Sequence, residues 1–436
     1  MKTSLSLLFA ALLAAGAVHA EAPRADGTVL LTGADLVTVS HGTIKGGELL
    51  IRDGRIAALG AKVDAPADAE RIDLAGKRVY PGYIAANSVL GLTEIEAVRA
   101  TNDMAEVGAI NPNTRAQVAI NPDSELLPVA RANGVLTANV VPQPGKSGVI
   151  AGQSALVKLD GWTYEDMTLA TPSGMHLFWP EARLPAWLPE DFRKRAKEAA
   201  GKKLAALDLA MRDARAYQAA KRAGTVKTED LRWEAMLPVL DGKEALFVHA
   251  ESSADIRDAL AFAQREKIAR LVLVGGQDAW RLADELAARK IPVILGTSQR
   301  LPLRRWEAYD TAYANAAKLV QAGVTVAIAN QGESQAASNE RNLPYQAASY
   351  AAYGMGEDAA LRAITLTPAE ILGVADRLGS LDVGKDATLF VADGDALDAR
   401  TRVQRAWIRG HELDMANRQT RLYEKYKSKY EGKPRP

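Results

Sequence analysis

Between residues 81 and 374 the chain repeats one unit, a short run of Val, Ile and Leu followed by a longer stretch with apolar residues at helical spacing. The runs are "VLTANVV" (135–141), "ALFVHA" (245–250), "ARLVLVGG" (269–276), "IPVILG" (291–296) and "VTVAIAN" (324–330). The helical stretches include "SADIRDALAFAQREK", "DAWRLADELAARK" and "TAYANAAKLVQAG". Continuous apolar runs mark strands covered on both faces, and strand–helix repetition calls for parallel pairing through crossover helices. The fold class is therefore α/β. A segment of this length fits a TIM-type (β/α)8 barrel over residues 81–374, with a doubly wound open sheet as the structural competitor.

The two ends read differently. "TVLLTGADLVTVS" and "GGELLIRDGRIAALG" alternate apolar and polar residues around Gly and Asp-Gly turns, and "GSLDVGKDATLFVADGDALD" and "TRVQRAWIRGHEL" repeat that vocabulary near the C-terminus. Residues 21–80 and 375–414 are thus expected to form one composite β-sandwich from both chain ends. Residues 187–235 are rich in charge and helix formers. They read as a solvated amphipathic insert on a barrel loop, or alternatively as a lid. The basic tail, 415–436, places Leu422, Tyr423 and Tyr426 at helical spacing and is expected to be helical.

The N-terminus carries Lys2, the apolar stretch "LSLLFAALLAAGAV" and the small-residue site Val18-His19-Ala20, the pattern of a signal peptide over residues 1–20 removed before Glu21. Its apolar run is shorter than the roughly 20 residues of a spanning helix, so no membrane insertion is expected after cleavage. A periplasmic or otherwise exported protein follows. With no cysteine, the chain offers neither a disulfide nor a thiolate ligand or nucleophile. Lys+Arg of 54 against Asp+Glu of 53 gives a net charge of +1, which speaks against nucleic acid as a partner.

In "VYPGYIAANSVLGLTEI" (79–95) a strand-like start runs into polar residues where a buried parallel strand would open onto a pocket. Together with "GGELLIRDGRIAALG", "FVHAESSADIRDAL" and above all "ALRAITLTPAEILGVADRLGSLDVGKDATLFV" (360–391), this stretch resembles the amidohydrolase superfamily, in the branch of imidazolonepropionases and related exported amidohydrolases. The resemblance implies a barrel plus composite sandwich, and hydrolysis of amide or cyclic C–N bonds by one or two divalent metals that polarise the carbonyl and supply hydroxide. It also implies ligands at strand ends. The His-x-His positions fall on Asn87 and Val89, the lysine position on His176, the fifth-strand histidine on His249, the sixth on Gly275, and the final aspartate near Asn330 or Gln331.

Most of these are not zinc ligands. His176 and His249 remain as metal candidates, for one weakly bound divalent metal such as zinc or for none, while Asn87, Val89, Gly275, Asn330 and Gln331 are expected to line the pocket. Glu94, Glu96 and Asp103 are acid–base candidates on a loop. "PGKSG" (144–148) lacks the first Gly of a phosphate-binding loop and "GQSAL" (152–156) lacks the second Gly of a nucleophile elbow, so both read as Gly-rich barrel-mouth loop. Two functions follow: an exported hydrolase of a small-molecule C–N bond with a depleted metal centre, or a non-catalytic small-molecule-binding or scaffold protein using the same pocket. A homo-oligomer is compatible with either.

Overall fold

A computed structural model describes residues 27–184 and 187–432. The signal peptide expected over residues 1–20, with its cleavage before Glu21, lies outside these residues. The protein is a mixed α/β fold built on two eight-stranded sheets.

The first sheet draws on both ends of the chain. It contains β1 (Thr28–Val37), β2 (Thr43–Arg52), β3 (Arg55–Gly60), β4 (Glu70–Asp73) and β5 (Arg78–Pro81), and near the C-terminus β14 (Leu389–Ala392), β15 (Val403–Ile408) and β16 (His411–Glu412). The order is β16-β15-β14-β5-β1-β2-β3, with β4 also on β1. The two ends meet where β14 runs antiparallel to β5, Leu389 opposite Pro81 and Ala392 opposite Arg78. One apolar cluster spans the junction, with Leu36, Leu49, Ile51 and Val79 from the first end and Leu389, Val391 and Trp407 from the second. Neither end supplies that face alone.

The second sheet holds the barrel strands: β6 (Tyr83–Ser88), β7 (Val135–Val140), β8 (Ile150–Lys158), β9 (Thr168–Phe178), β10 (Leu246–Ala250), β11 (Leu271–Gly275), β12 (Val293–Leu295) and β13 (Val326–Ile328). They pair in chain order, and β13 returns beside β6, so the sheet is nearly closed. The helix Leu366–Ile371 packs against both of these strands at the seam. Inside lie Ile84, Ala86, Leu156, Phe247, Val274, Ile294 and Ala327, the close-packed interior of a small barrel.

Two expectations change. Strand β8 is antiparallel to both neighbours, unlike a regular (β/α)8 barrel. The link from β7 to β8, residues 141–149, contains no helix and is too short for a parallel crossover, which needs a dozen or more residues. "GQSAL" consequently sits within β8 and not in a mouth loop. The charged segment 187–235 is no loop insert either. Its helix Glu190–Arg222 follows β9, and Leu207, Met211 and Ala214 pack with Met236 and Val239 of helix Leu231–Leu240 onto Met175, Leu177, Leu246 and Val248. It is the crossover from β9 to β10, its charge confined to the solvent side.

Candidate functional site

The C-terminal strand ends open onto a cavity of about 290 Å³, the usual place for a site in parallel barrels. A larger depression of about 580 Å³ lies beside Trp280 and Lys318 on the outer surface of the helices, open to solvent and away from the strand ends. Polar groups converge in the strand-end cavity, so the chemistry is argued there.

His249, near the end of β10, lines the cavity, while His176 on neighbouring β9 is buried beneath it. Their rings meet, with Nδ1 of His176 2.9 Å from Nε2 of His249. Behind them runs a row of small polar residues. Nε2 of His176 lies 2.8 Å from Oγ of Ser154, which lies 2.8 Å from Oγ of Ser173 and 3.1 Å from the Gly174 carbonyl; Ser173 lies 2.6 Å from Oδ1 of Asn139.

Each proton in this row follows from its neighbour. Asn139 donates its Nδ2 to the Ala86 carbonyl, so Oδ1 accepts the Ser173 hydroxyl. Ser154 then sends its single proton to Ser173 or to Gly174. Nε2 of His176 must therefore donate to Ser154, and Nδ1 of His176 accepts from Nε2 of His249. Nδ1 of His249 is left unprotonated. Burial holds His249 down at about 3, and burial together with the neighbouring His249 holds His176 well below the usual histidine range, so both rings are neutral. Phe247 stacks on His176 and Phe178 on His249, fixing both rings.

Asn87 reaches the cavity because β6 breaks register between Ala85 and Ser88, a bulge that re-aims the strand end. Asn87 is 7% exposed and its Oδ1 is buried with no hydrogen-bond partner among the described residues. A Cβ on Gly332 would come within 2.8 Å of its amide, so only glycine fits beside it. Val89 is a correction. It lies past the end of β6, 1% exposed in the apolar core with Leu90 and Ala116, because the bulge breaks the period of two that would have put it beside Asn87. Gly275, Asn330 and Gln331 line the cavity.

Several residues were not anticipated. A Cβ on Gly275, where φ is +91°, would fall 2.7 Å from Oε1 of Glu251, so the Glu251 carboxylate lies over the spot where a side chain would start. Glu251 is held by Arg300 at 3.2 Å and by the Gln277 backbone N–H at 2.9 Å. Arg300 in turn donates its Nε to Oε1 of Gln331 at 2.8 Å, with the Gln331 oxygen turned toward it. Below Asn330, Glu340 is buried, accepting from Ser88 at 2.8 Å and from Asn330 at 3.0 Å; burial outweighs these bonds and lifts its carboxyl to about 7. At the rim, burial and the nearby Asp255 and Glu251 raise Glu181. Neither Glu94, Glu96 nor Asp103 lines the cavity.

These residues do not fit the metal centre that the fold implies. Two nitrogens on one zinc stand roughly 3.3 Å apart with the ion between them, given Zn–N of about 2.05 Å. The facing nitrogens of His176 and His249 are closer and share a hydrogen bond, and the other nitrogen of His176 is bonded to Ser154. Asn87 offers an amide, Gly275 no side chain, and Nδ2 of Asn330 is committed to Glu340. Of the four nitrogens of these two rings, Nδ1 of His249 is the one without a hydrogen bond among the described residues. Among the described residues no group of three or more His, Asp or Glu is placed to hold a metal.

Comparison with known proteins agrees with this architecture. Residues 251–414 match the amidohydrolase family. The chain is 24% identical over 394 residues to the amidohydrolase tasK of Hapsidospora irregularis, covering 84% of this chain and 39% of that protein, so it spans well under half the length of this curated relative. The crystal structure of an amidohydrolase from Thermotoga maritima is 27% identical, with a TM-score of 0.77 over 88% of this chain and 99% of that one. An adenosine deaminase from Xanthomonas campestris with bound zinc shares the fold at 17% identity and a TM-score of 0.53, over 93% of this chain and 98% of that one. Over its C-terminal part by family match, and over most of its length by fold, the chain is thus similar to amidohydrolases.

Proposed function

We propose that this protein is an exported member of the superfamily, of the imidazolonepropionase-like branch, whose barrel mouth binds a small molecule through hydrogen bonds and charge without a hydrolytic metal centre. The observation that carries this reading is the His176–His249 contact, which with the Ser154 bond behind it ties up three of the four nitrogens of these rings at the depleted ligand positions. A general base works best with a pKa near the operating pH, and His249, held at about 3, is a weak base there. It is a good acceptor nonetheless. A cavity of about 290 Å³ with an unpartnered buried amide is suited to holding a small ligand.

The second reading is hydrolysis of a small amide or cyclic amide. Glu181 favours it, a rim carboxyl shifted upward by burial and by two neighbouring carboxylates and so a candidate acid. Metal analysis of the dialysed, exported protein separates the two. Binding without a metal centre predicts well under one equivalent of zinc or manganese, and no release of amine or ammonia from small amides and lactams when either metal is added. Close to two tightly held equivalents would return the protein to the hydrolases.

A further inference from the structure

We propose, resting on the binding function above, that the cavity selects a small organic cation, a primary ammonium or an amidinium, received on Oδ1 of Asn87 and Nδ1 of His249 among the carboxylates at the rim. The charged residues lining the cavity are Glu181, Glu251, Asp255, Glu333 and Arg300, four carboxylates against one guanidinium. Arg300 is already committed to Glu251 at 3.2 Å and to Gln331 at 2.8 Å. It has little left to offer an anion.

The unpartnered groups point the same way. Oδ1 of Asn87 is buried, on a residue 7% exposed, and accepts no hydrogen bond among the described residues. Among the described residues, Oδ1 of Asp255, on a residue 5% exposed, has no hydrogen bond and a charge contact with Arg183 at 3.6 Å. Nδ1 of His249 carries a lone pair because the row behind it fixes the tautomer. All three are acceptors, and a buried acceptor left unmade is costly, so the ligand that completes this site brings N–H donors. Phe178 and Trp179 supply aromatic surface in the same wall, and ring faces attract organic cations. A neutral donor would satisfy the acceptors but gain nothing from the carboxylates.

The test is calorimetric titration of the full mature chain with benzamidine and phenethylamine as cations, benzamide as the neutral match and benzoate as the anion. The two cations should bind saturably and at least roughly tenfold more tightly than benzamide, with benzoate weaker still. Asn87→Leu should weaken the cations by roughly tenfold. Glu181→Gln, at the exposed rim where folding is insensitive, should weaken them severalfold and lessen their salt dependence. Equal binding of benzamide and benzamidine, or preference for benzoate, overturns the cation assignment while the small-molecule function stands. Absence of binding by all four probes, and by a charge-balanced set of small amides, overturns both. Unchanged cation affinity in Asn87→Leu and Glu181→Gln alike places the ligand elsewhere and also overturns the proposal.

Discussion

Because Asn139 is anchored on the Ala86 carbonyl, the proton of each residue in the row is set in turn as far as His249. Protonating either imidazole would break that order as well as bury a charge. The unfolded chain takes up these protons below about 6.5 while folded His249 takes its own only near 3, so between those values the unfolded state binds more protons. The stability this contributes is complete above about pH 6.5 and is lost as the pH falls. Glu340 has the opposite sign. Its folded value near 7 lies above the ordinary 4.5, so the folded state binds the extra proton and stability is lost as pH rises from 4.5 to 7. Two substitutions separate the limbs in denaturant titrations across pH. Glu340→Gln should match the parent at pH 4 and exceed it at pH 8 by as much as about 3 kcal/mol, while His249→Gln, which keeps an N–H for His176, should lose less stability than the parent between pH 6.5 and 4.5. Curves parallel to the parent's would disprove the buried ionisations. At this scale the histidines were legible as lone polar residues at strand ends. Ser154, Ser173 and Asn139 were not, since an isolated Ser or Asn in an apolar run carries no sign of its partner on the next strand. Glu340 was hidden for a related reason: it reaches Ser88 from 252 residues away in sequence.

Between elements, one ring bridges the joint of barrel and sheet. Phe390 of β14 is fully buried, stacked on Tyr80 at 5.4 Å and edge-on to Tyr83 at 4.9 Å, so it ties β5 and β6 to the C-terminal strands. Gly134, at the turn before β7 with φ of +86°, leaves room for it; a Cβ there would lie 2.8 Å from the ring. Phe390→Ala should cost about 3–5 kcal/mol through the lost ring and its cavity. Gly134→Ala should cost about 2–4 kcal/mol, adding a crowded contact to a left-handed backbone. Both are read from urea midpoints at unchanged slope. A cost under 1 kcal/mol for each would show that the joint is held elsewhere. Ending the chain after Val374 removes β14, β15 and β16 together and should give aggregating protein, because β5 is left as an open edge. The meeting of the two ends was legible from their shared alternation and Asp-Gly turns. The direction of β8 was not, because apolar pattern records burial and not strand sense. The long charged segment was legible as an amphipathic helix, but its place as the crossover from β9 to β10 was not, because helical spacing shows that a face is covered and not which strands cover it.

Seen whole, the molecule keeps its polar convergence at one end of the barrel, and no helix among the described residues is long and apolar enough to cross a membrane. Export was proposed from the first twenty residues, and N-terminal sequencing of protein from the producing cell should find Glu21 first; retention of residues 1–20 would count against it. The C-terminal helix Arg418–Tyr430 lies on the surface of the molecule. Asn417 caps it, with Thr420 completing the reciprocal pair of bonds, so its start is fixed by a local capping box. No residue of the helix is buried, and Leu422, Tyr423 and Tyr426 are 40%, 62% and 50% exposed. Its link to the body includes the Arg421–Glu125 ion pair at 3.1 Å, exposed on both sides and so worth less than about 1 kcal/mol. Deleting residues 418–436 should therefore move the melting temperature of dilute protein by less than about 2 °C and leave ligand binding unchanged. If the deletion instead lowers it by 5 °C or more at high protein concentration but not on dilution, the tyrosine face joins copies of the chain, since stability that depends on concentration is stability taken from association.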